Sequence, residues 1–267
     1  ISDAIDIIAA PLSFLVEKGG GGAITTTAGA TFSVDITAMS EADGGGTKVD
    51  GYHGDYLIDF SSTASDPKIL PTFEEITFDG GEGTLAGVVL NVVETGTTIT
   101  ATDSELGIAG TSAEITINLG DLHHLTITGA PDSVTAGEAF ANDIIVKAYD
   151  AEGNFLDDST VTIAWTSTDG RVSKGAGLPQ DHALEAGTWT FSGSDFTLEE
   201  AGARTITATS GAKAKSAAIT VNPAAASNLR DLVATPGTIT ADGSHSSTIT
   251  ATVEDAFGNV DTNYTES

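Results

Sequence analysis

The 267-residue chain carries 38 acidic and 10 basic side chains, a formal charge of −28, and no cysteine. No Lys/Arg cluster is present to displace counterions from phosphates or to bind an anionic lipid surface, so nucleic acid and polybasic membrane contacts are excluded. No apolar run reaches the length of a membrane span, and the lack of cysteine rules out disulfides, Cys-based zinc sites and thiol catalysis. Apolar residues still make up 40% of the chain, and 39 threonines join many valines and isoleucines, a composition that suits pleated, half-buried strands.

Taken in chain order, the predicted strands repeat. Ile5-Asp6-Ile7-Ile8-Ala9-Ala10-Pro11 opens a first copy, Leu125-Thr126-Ile127-Thr128-Gly129-Ala130-Pro131 a second, and Arg230-Asp231-Leu232-Val233-Ala234-Thr235-Pro236 a third. Each is a short alternating segment ending at a proline, which has no N–H to give to a ladder. Thr27-Ala28-Gly29, Thr135-Ala136-Gly137 and Thr240-Ala241-Asp242-Gly243 follow, and then alternating strands over 31–38, 144–149 and 248–253. Later in the unit, Thr98-Ile99-Thr100-Ala101-Thr102 matches Thr205-Ile206-Thr207-Ala208-Thr209, and the segment 113–118 matches 217–222. The unit is about 105 residues long, the size of one immunoglobulin-like sandwich.

This spacing predicts an all-β chain of tandem immunoglobulin-like β-sandwiches arranged end to end. The expected domains are 1–119, with an insertion near 14–24; 120–222; and 223–267, the opening part of a third copy. That third copy is expected to be completed either by further chain or by strands donated from a neighbouring subunit.

The third copy reads Ala241-Asp242-Gly243, then Ser247 to Val253, then Asp255-Ala256-Phe257-Gly258-Asn259. The second has the matching Asp150-Ala151-Glu152-Gly153-Asn154, followed by Val161 to Asp169 around Trp165. These segments resemble the prokaryotic Ig-like repeats of cell-surface proteins, the invasin/intimin type and the repeats of S-layer and adhesin stalks. The first copy departs, with Glu41-Ala42-Asp43-Gly44-Gly45-Gly46 at the turn and Phe60 at the place of Trp165. The resemblance implies an extracellular, cell-surface location and the sandwich fold, and no single activity.

The Asp-Ala-x-Gly-Asn turn has a local reason to exist: Asp caps backbone N–H groups, Gly supplies positive φ and Asn tolerates the left-handed region. It also suggests calcium, because Asp150, Glu152, Asn154, Asp157 and Asp158 offer oxygen ligands within one loop. Calcium is the one cofactor the sequence suggests. The histidines His53, His123, His124, His182 and His245 read as polar loop residues, and Glu74-Glu75 and Glu199-Glu200 as solvated charge. Trp165, Phe60, Phe191, Phe78, Trp189 and Phe196 read as core fillers rather than a sugar platform. Asn263-Tyr264-Thr265 fits an N-glycosylation sequon. No nucleophile elbow, phosphate loop or dinucleotide fingerprint is present.

The expected function is that of a non-catalytic structural segment of an extracellular S-layer, filament or adhesin stalk. Its expected partners are other copies of itself or neighbouring surface-protein domains, and glycans are a further candidate. The alternatives are a carbohydrate-binding or adhesive module and a spacer of a large secreted enzyme.

Overall fold

The alternation read from the sequence becomes strands with one buried face. In the computed structural model, which describes residues 10–19 and 25–262, Thr31–Met39 buries Phe32, Val34, Ile36 and Ala38. Likewise Ile144–Tyr149 buries Ile144, Val146 and Ala148. Side chains alternate across a strand, so every second residue can be apolar at no cost to the outer face. Among the described residues the helical segments are two 3-10 turns, Ala42–Gly44 and Gly193–Asp195.

The chain divides into two units. Unit 1 holds the residues up to Asp121 together with Asp150–Asn154, and unit 2 holds Leu122–Tyr149 and the residues from Phe155 onward.

In unit 1, one sheet orders Ser13–Lys18, Thr31–Met39, Glu82–Leu90 and Lys68–Ile69. A second orders Ile108–Thr111, Ile99–Asp103, Gly54–Ser62 and Phe73–Phe78. A three-stranded sheet places Ile115–Asn118 between Glu94–Thr97 and a parallel partner, Thr25–Thr27. The core holds Phe14, Tyr52, Phe60 and Phe78 with Ile36, Ile58 and Ile99. Tyr52 donates to Asp103 Oδ2 at 2.7 Å, and burial followed by that bond pushes its phenol far above the usual value.

The strand Ser13–Lys18 lies where the sequence suggested an insertion. It pairs with Thr31–Met39 in the register Phe14↔Ala38 and Val16↔Ile36. In unit 2 the equivalent pairs are Leu125↔Ala148 and Ile127↔Val146. Ser13–Lys18 therefore holds the place beside Thr31–Met39 that His124–Thr128 holds beside Ile144–Tyr149. The glycine run after it disguises it as a loop. The segment predicted as the opening strand, Ile5–Ala9, falls outside the described residues, as do the glycines Gly20–Gly22 and the sequon at Asn263.

Unit 2 pairs His124–Thr128, Ile144–Tyr149 and Thr188–Phe191 in one sheet. Its five-stranded sheet orders Ser133–Thr135, Lys213–Asn222, Gly202–Ser210, Thr162–Ser167 and His182–Ala183. Trp165 is buried edge-on against Phe191 and Phe196, at 5.4 and 4.9 Å between ring centroids. Phe60 and Trp165 both pair with a buried alanine, Ala101 and Ala208, so the two aromatic residues do hold one place in the repeat. The third copy contributes a hairpin, Ala226–Thr235 with Thr248–Asp255, whose register shifts near Asp231. Leu229, Leu232, Val233 and Ile249 on it are exposed.

Candidate functional site

The Asp-Ala-x-Gly-Asn turn is built the same way twice. Asp150 N–H donates to Asn154 O at 3.0 Å, and Asp255 N–H donates to Asn259 O at 3.0 Å. Gly153 and Gly258 take φ of +87° and +79°, which lets the chain reverse within five residues without strain. Asp150 Oδ1 then accepts from Glu152 N at 3.0 Å and Asn154 N at 2.8 Å. Asp255 Oδ1 accepts from Phe257 N at 2.9 Å and Asn259 N at 2.8 Å.

The second oxygen reaches beyond the turn. Asp150 Oδ2 accepts from Asn154 Nδ2 at 2.9 Å and from Gly120 N at 3.2 Å. Asp255 Oδ2 accepts from Asn259 Nδ2 and Ala224 N, at 2.8 and 2.9 Å. The asparagine amide completes the pattern with a two-point clasp on a distant loop. Asn154 Nδ2 donates to Asn91 O at 2.8 Å, while its Oδ1 accepts from Val93 N at 3.3 Å. Asn259 Nδ2 donates to Glu199 O at 2.7 Å, and its Oδ1 accepts from Ala201 N at 2.9 Å. The turn at Asp150–Asn154 makes all of these bonds inside unit 1, and the turn at Asp255–Asn259 makes them inside unit 2.

Both aspartates are almost fully buried, at 1% and 0% exposure. Burial by itself raises a carboxyl group's pKa. Here the side-chain and backbone bonds from Asn154, Gly120 and Glu152 outweigh it and hold Asp150 below the usual carboxylate range. Asp255 is lowered in the same way against its burial, by Asn259, Ala224 and Phe257.

A third buried aspartate supports the loop that Asn259 grips. Asp169 Oδ2 accepts from Glu199 N at 2.6 Å and Glu200 N at 2.9 Å, and its Oδ1 accepts from Arg171 N at 2.9 Å. Arg171 Nη1 donates to Asn259 Oδ1 at 2.8 Å and to Glu199 O at 3.2 Å. Burial opposes ionisation of Asp169 as well, and the bonds from Glu200, Arg171 and Glu199 prevail and lower it.

The first copy has no such turn. Its Glu41-to-Gly44 segment is held by Ser13, whose Oγ donates to Glu41 O at 2.5 Å and accepts from Gly44 N at 2.9 Å.

This geometry departs from the calcium reading of Asp150, Glu152, Asn154, Asp157 and Asp158. Each carboxylate oxygen of Asp150 already accepts two N–H groups, which uses its lone-pair directions. The Asn154 carbonyl oxygen is taken by Val93. Glu152, Asp157 and Asp158 are exposed. Among the described residues no group of three or more His, Cys, Asp or Glu is placed to hold a metal ion. The sequence points to the right loop, and the structure gives its oxygens to backbone and amide donors.

The residues gripped by the clasp leave no side-chain signal, because Asn91, Val93, Glu199 and Ala201 act through their backbones. Asp169 is legible as an aspartate one residue before a glycine at a strand end, the pattern of a capping turn.

Unit 2 also carries a groove of about 580 Å³. Trp189 lies half-buried in its wall rather than in the core, and His182 stacks on it at 3.7 Å between ring centroids and 17° between planes. His182 Nδ1 sits 2.6 Å from Ala183 O. The remaining histidines make local contacts: His53 lies 3.4 Å from Asp79, His124 stacks on Tyr149, and His245 lies 2.7 Å from Asp242. Hydrogen bonds from His245 and then Ser244 hold Asp242 down to about 2. Glu74, Glu75 and the Glu199-Glu200 pair form no paired-carboxylate site; Glu74 and Glu75 are exposed neighbours on one strand.

No described protein family and no curated protein matches the chain. Among solved structures, the D0-D1 domain of intimin is similar at 14% identity and a TM-score of 0.27, covering 78% of this chain and 97% of that one. The Escherichia coli adhesin FdeC is similar at 20% identity and a TM-score of 0.40, covering 94% of this chain and 77% of that one. The S-layer protein rSbsC(31-844) is similar at 15% identity and a TM-score of 0.29, covering 97% of this chain; the chain spans 33% of that protein's length.

Proposed function

We propose that this chain is a non-catalytic structural segment of an exported surface protein, built from Ig-like repeats secured by the aspartate–asparagine clasp. One observation carries the proposal. Asp150 with Asn154, and Asp255 with Asn259, make the same hydrogen bonds 105 residues apart. The partner atoms in the gripped loops are backbone N–H and C=O groups, so the device tolerates sequence change in the loop it holds. In unit 2 it ties the opening hairpin of the third copy to Glu199 and Ala201 of the second. A buried hydrogen-bonded network of this kind favours one arrangement over its competitors.

Composition supports the exterior location. A charge of −28 keeps chains soluble and mutually repelling, and a chain without cysteine has no thiol to be oxidised.

The test is protease treatment and antibody labelling of intact source cells. Surface labelling that a brief external protease digestion removes is the expected result. Protein found solely in the cytosol, or a turnover activity lost on one side-chain change in the purified chain, contradicts the proposal.

A further inference from the structure

We propose that the groove beside Trp189 in unit 2 binds a neutral carbohydrate. This goes beyond the structural role above and does not depend on it.

The chain has two tryptophans, and they are used in opposite ways. Trp165 is 1% exposed in the core, whereas Trp189 stands half-buried in the groove wall. His182 lies face to face on its indole, so the two rings form a stacked aromatic wall of the groove with one outer ring face left for a ligand. Around this stack stand Gln180, Asp181, Ser192, Ser194 and Asp195, all exposed. They supply hydroxyl, amide and carboxylate groups at the rim of an aromatic surface.

The wall is fixed before any ligand arrives. Thr197 N–H donates to Gly177 O at 3.0 Å, and Gly175 N–H donates to Leu178 O at 2.6 Å. Gly177 takes φ of +88°, and a Cβ there would lie 2.6 Å from Thr197 O, so only glycine lets the backbone run this close. Lys174 pairs with Asp181, and Ser192 Oγ accepts from Ser194 N at 3.3 Å. A preformed rim loses little freedom on binding.

The ligand class follows from this chemistry. A sugar ring presents an apolar C–H face and hydroxyl groups around its edge. The outer ring face of the stack takes the first, and carboxylate and amide oxygens accept from the second. Asp195 at the rim and the overall charge of −28 disfavour an anionic ligand. The groove volume falls in the range of small-molecule sites. A groove of about 670 Å³ in unit 1 is lined by Lys68, Pro71, Glu74, Leu85 and their neighbours, with no aromatic ring among them, so the same argument does not apply to it.

The test uses the full chain on an array of immobilised neutral glycans. Hits are titrated as free oligosaccharides, with tryptophan emission as the readout. The expected result is at least one neutral glycan that perturbs the emission, with binding lost in Trp189→Ala and weakened about tenfold in Asp195→Ala. Asp195 is exposed, so its variant should melt with the wild type and separate lost binding from lost folding. A blank array overturns the proposal. So does binding that survives in both variants, or a ligand set made up of anionic glycans.

Discussion

Leu125 and Leu229 hold one position in two copies of the same strand pair, yet one is 2% and the other 64% exposed. Leu125 pairs across to Ala148, and Leu229 pairs across to Val253, which lies 105 residues beyond Ala148. In the second copy a facing sheet with Ile163, Trp165 and Ile219 covers that face. Burial of this leucine is therefore set by what packs on the strand.

The two leucines should respond differently to truncation. Leu125→Ala is expected to cost about 2–5 kcal/mol, the range for a fully buried leucine. In the 267-residue chain, Leu229→Ala is expected to stay within about 0.5 kcal/mol, as an exposed substitution does. Denaturant unfolding of the two variants measures both, and equal losses would contradict this difference in burial.

Acid should destabilise the chain through its buried aspartates. Asp150, Asp169 and Asp255 all have lowered pKa values in the folded state. A depressed carboxyl contributes stability that is present above its unfolded value, about 3.9, and is lost as pH falls through the lower folded value. The melting temperature should therefore hold from neutral pH to about pH 5 and fall steeply below about pH 4. Asp169→Asn should lower the neutral plateau and flatten the acid limb. A melting temperature that is constant down to pH 2 would contradict this.

Calcium should act on this chain as ionic strength alone. Asp150, the centre of the loop that suggested a site, has both oxygens committed to N–H donors. Screening depends on ionic strength, whereas a specific site stabilises by mass action. Melting curves in calcium chloride and in sodium chloride at matched ionic strength should superimpose. A rise with calcium that saturates would show a site and contradict the geometry.

Much of the fold is legible because period-two patterning and a 105-residue repeat survive in the residues themselves. Thr205-Ile206-Thr207-Ala208-Thr209 lies within the strand Gly202–Ser210, and the alternation predicted for Ile144 to Tyr149 matches its burial. The strand Ser13–Lys18 escapes the pattern because Phe14 and Val16 precede a glycine run, and repeat alignment favours a proline-ended segment upstream. The turn at Asp150 stands out in the sequence, but the partners of its oxygens do not. A sequence shows which oxygens share a loop, but it does not show which N–H groups have already claimed them. Trp189 reads as a core residue with Trp165 because both lie in strands of alternating pattern. Only the position of His182 across from it shows that its ring borders a groove.

Residue-resolved amide hydrogen exchange at Val93 and Ala201 tests the clasp most directly, since each N–H is held by one asparagine. Removing that acceptor should free the amide locally while the neighbouring strands stay protected. Asn154→Ala is expected to speed exchange at Val93 about tenfold or more, the loss of roughly 1.4 kcal/mol, and to leave Ala201 unchanged. Asn259→Ala should do the reverse. Unchanged exchange at both amides in both variants would contradict the clasp and, with it, the account of how these repeats are secured.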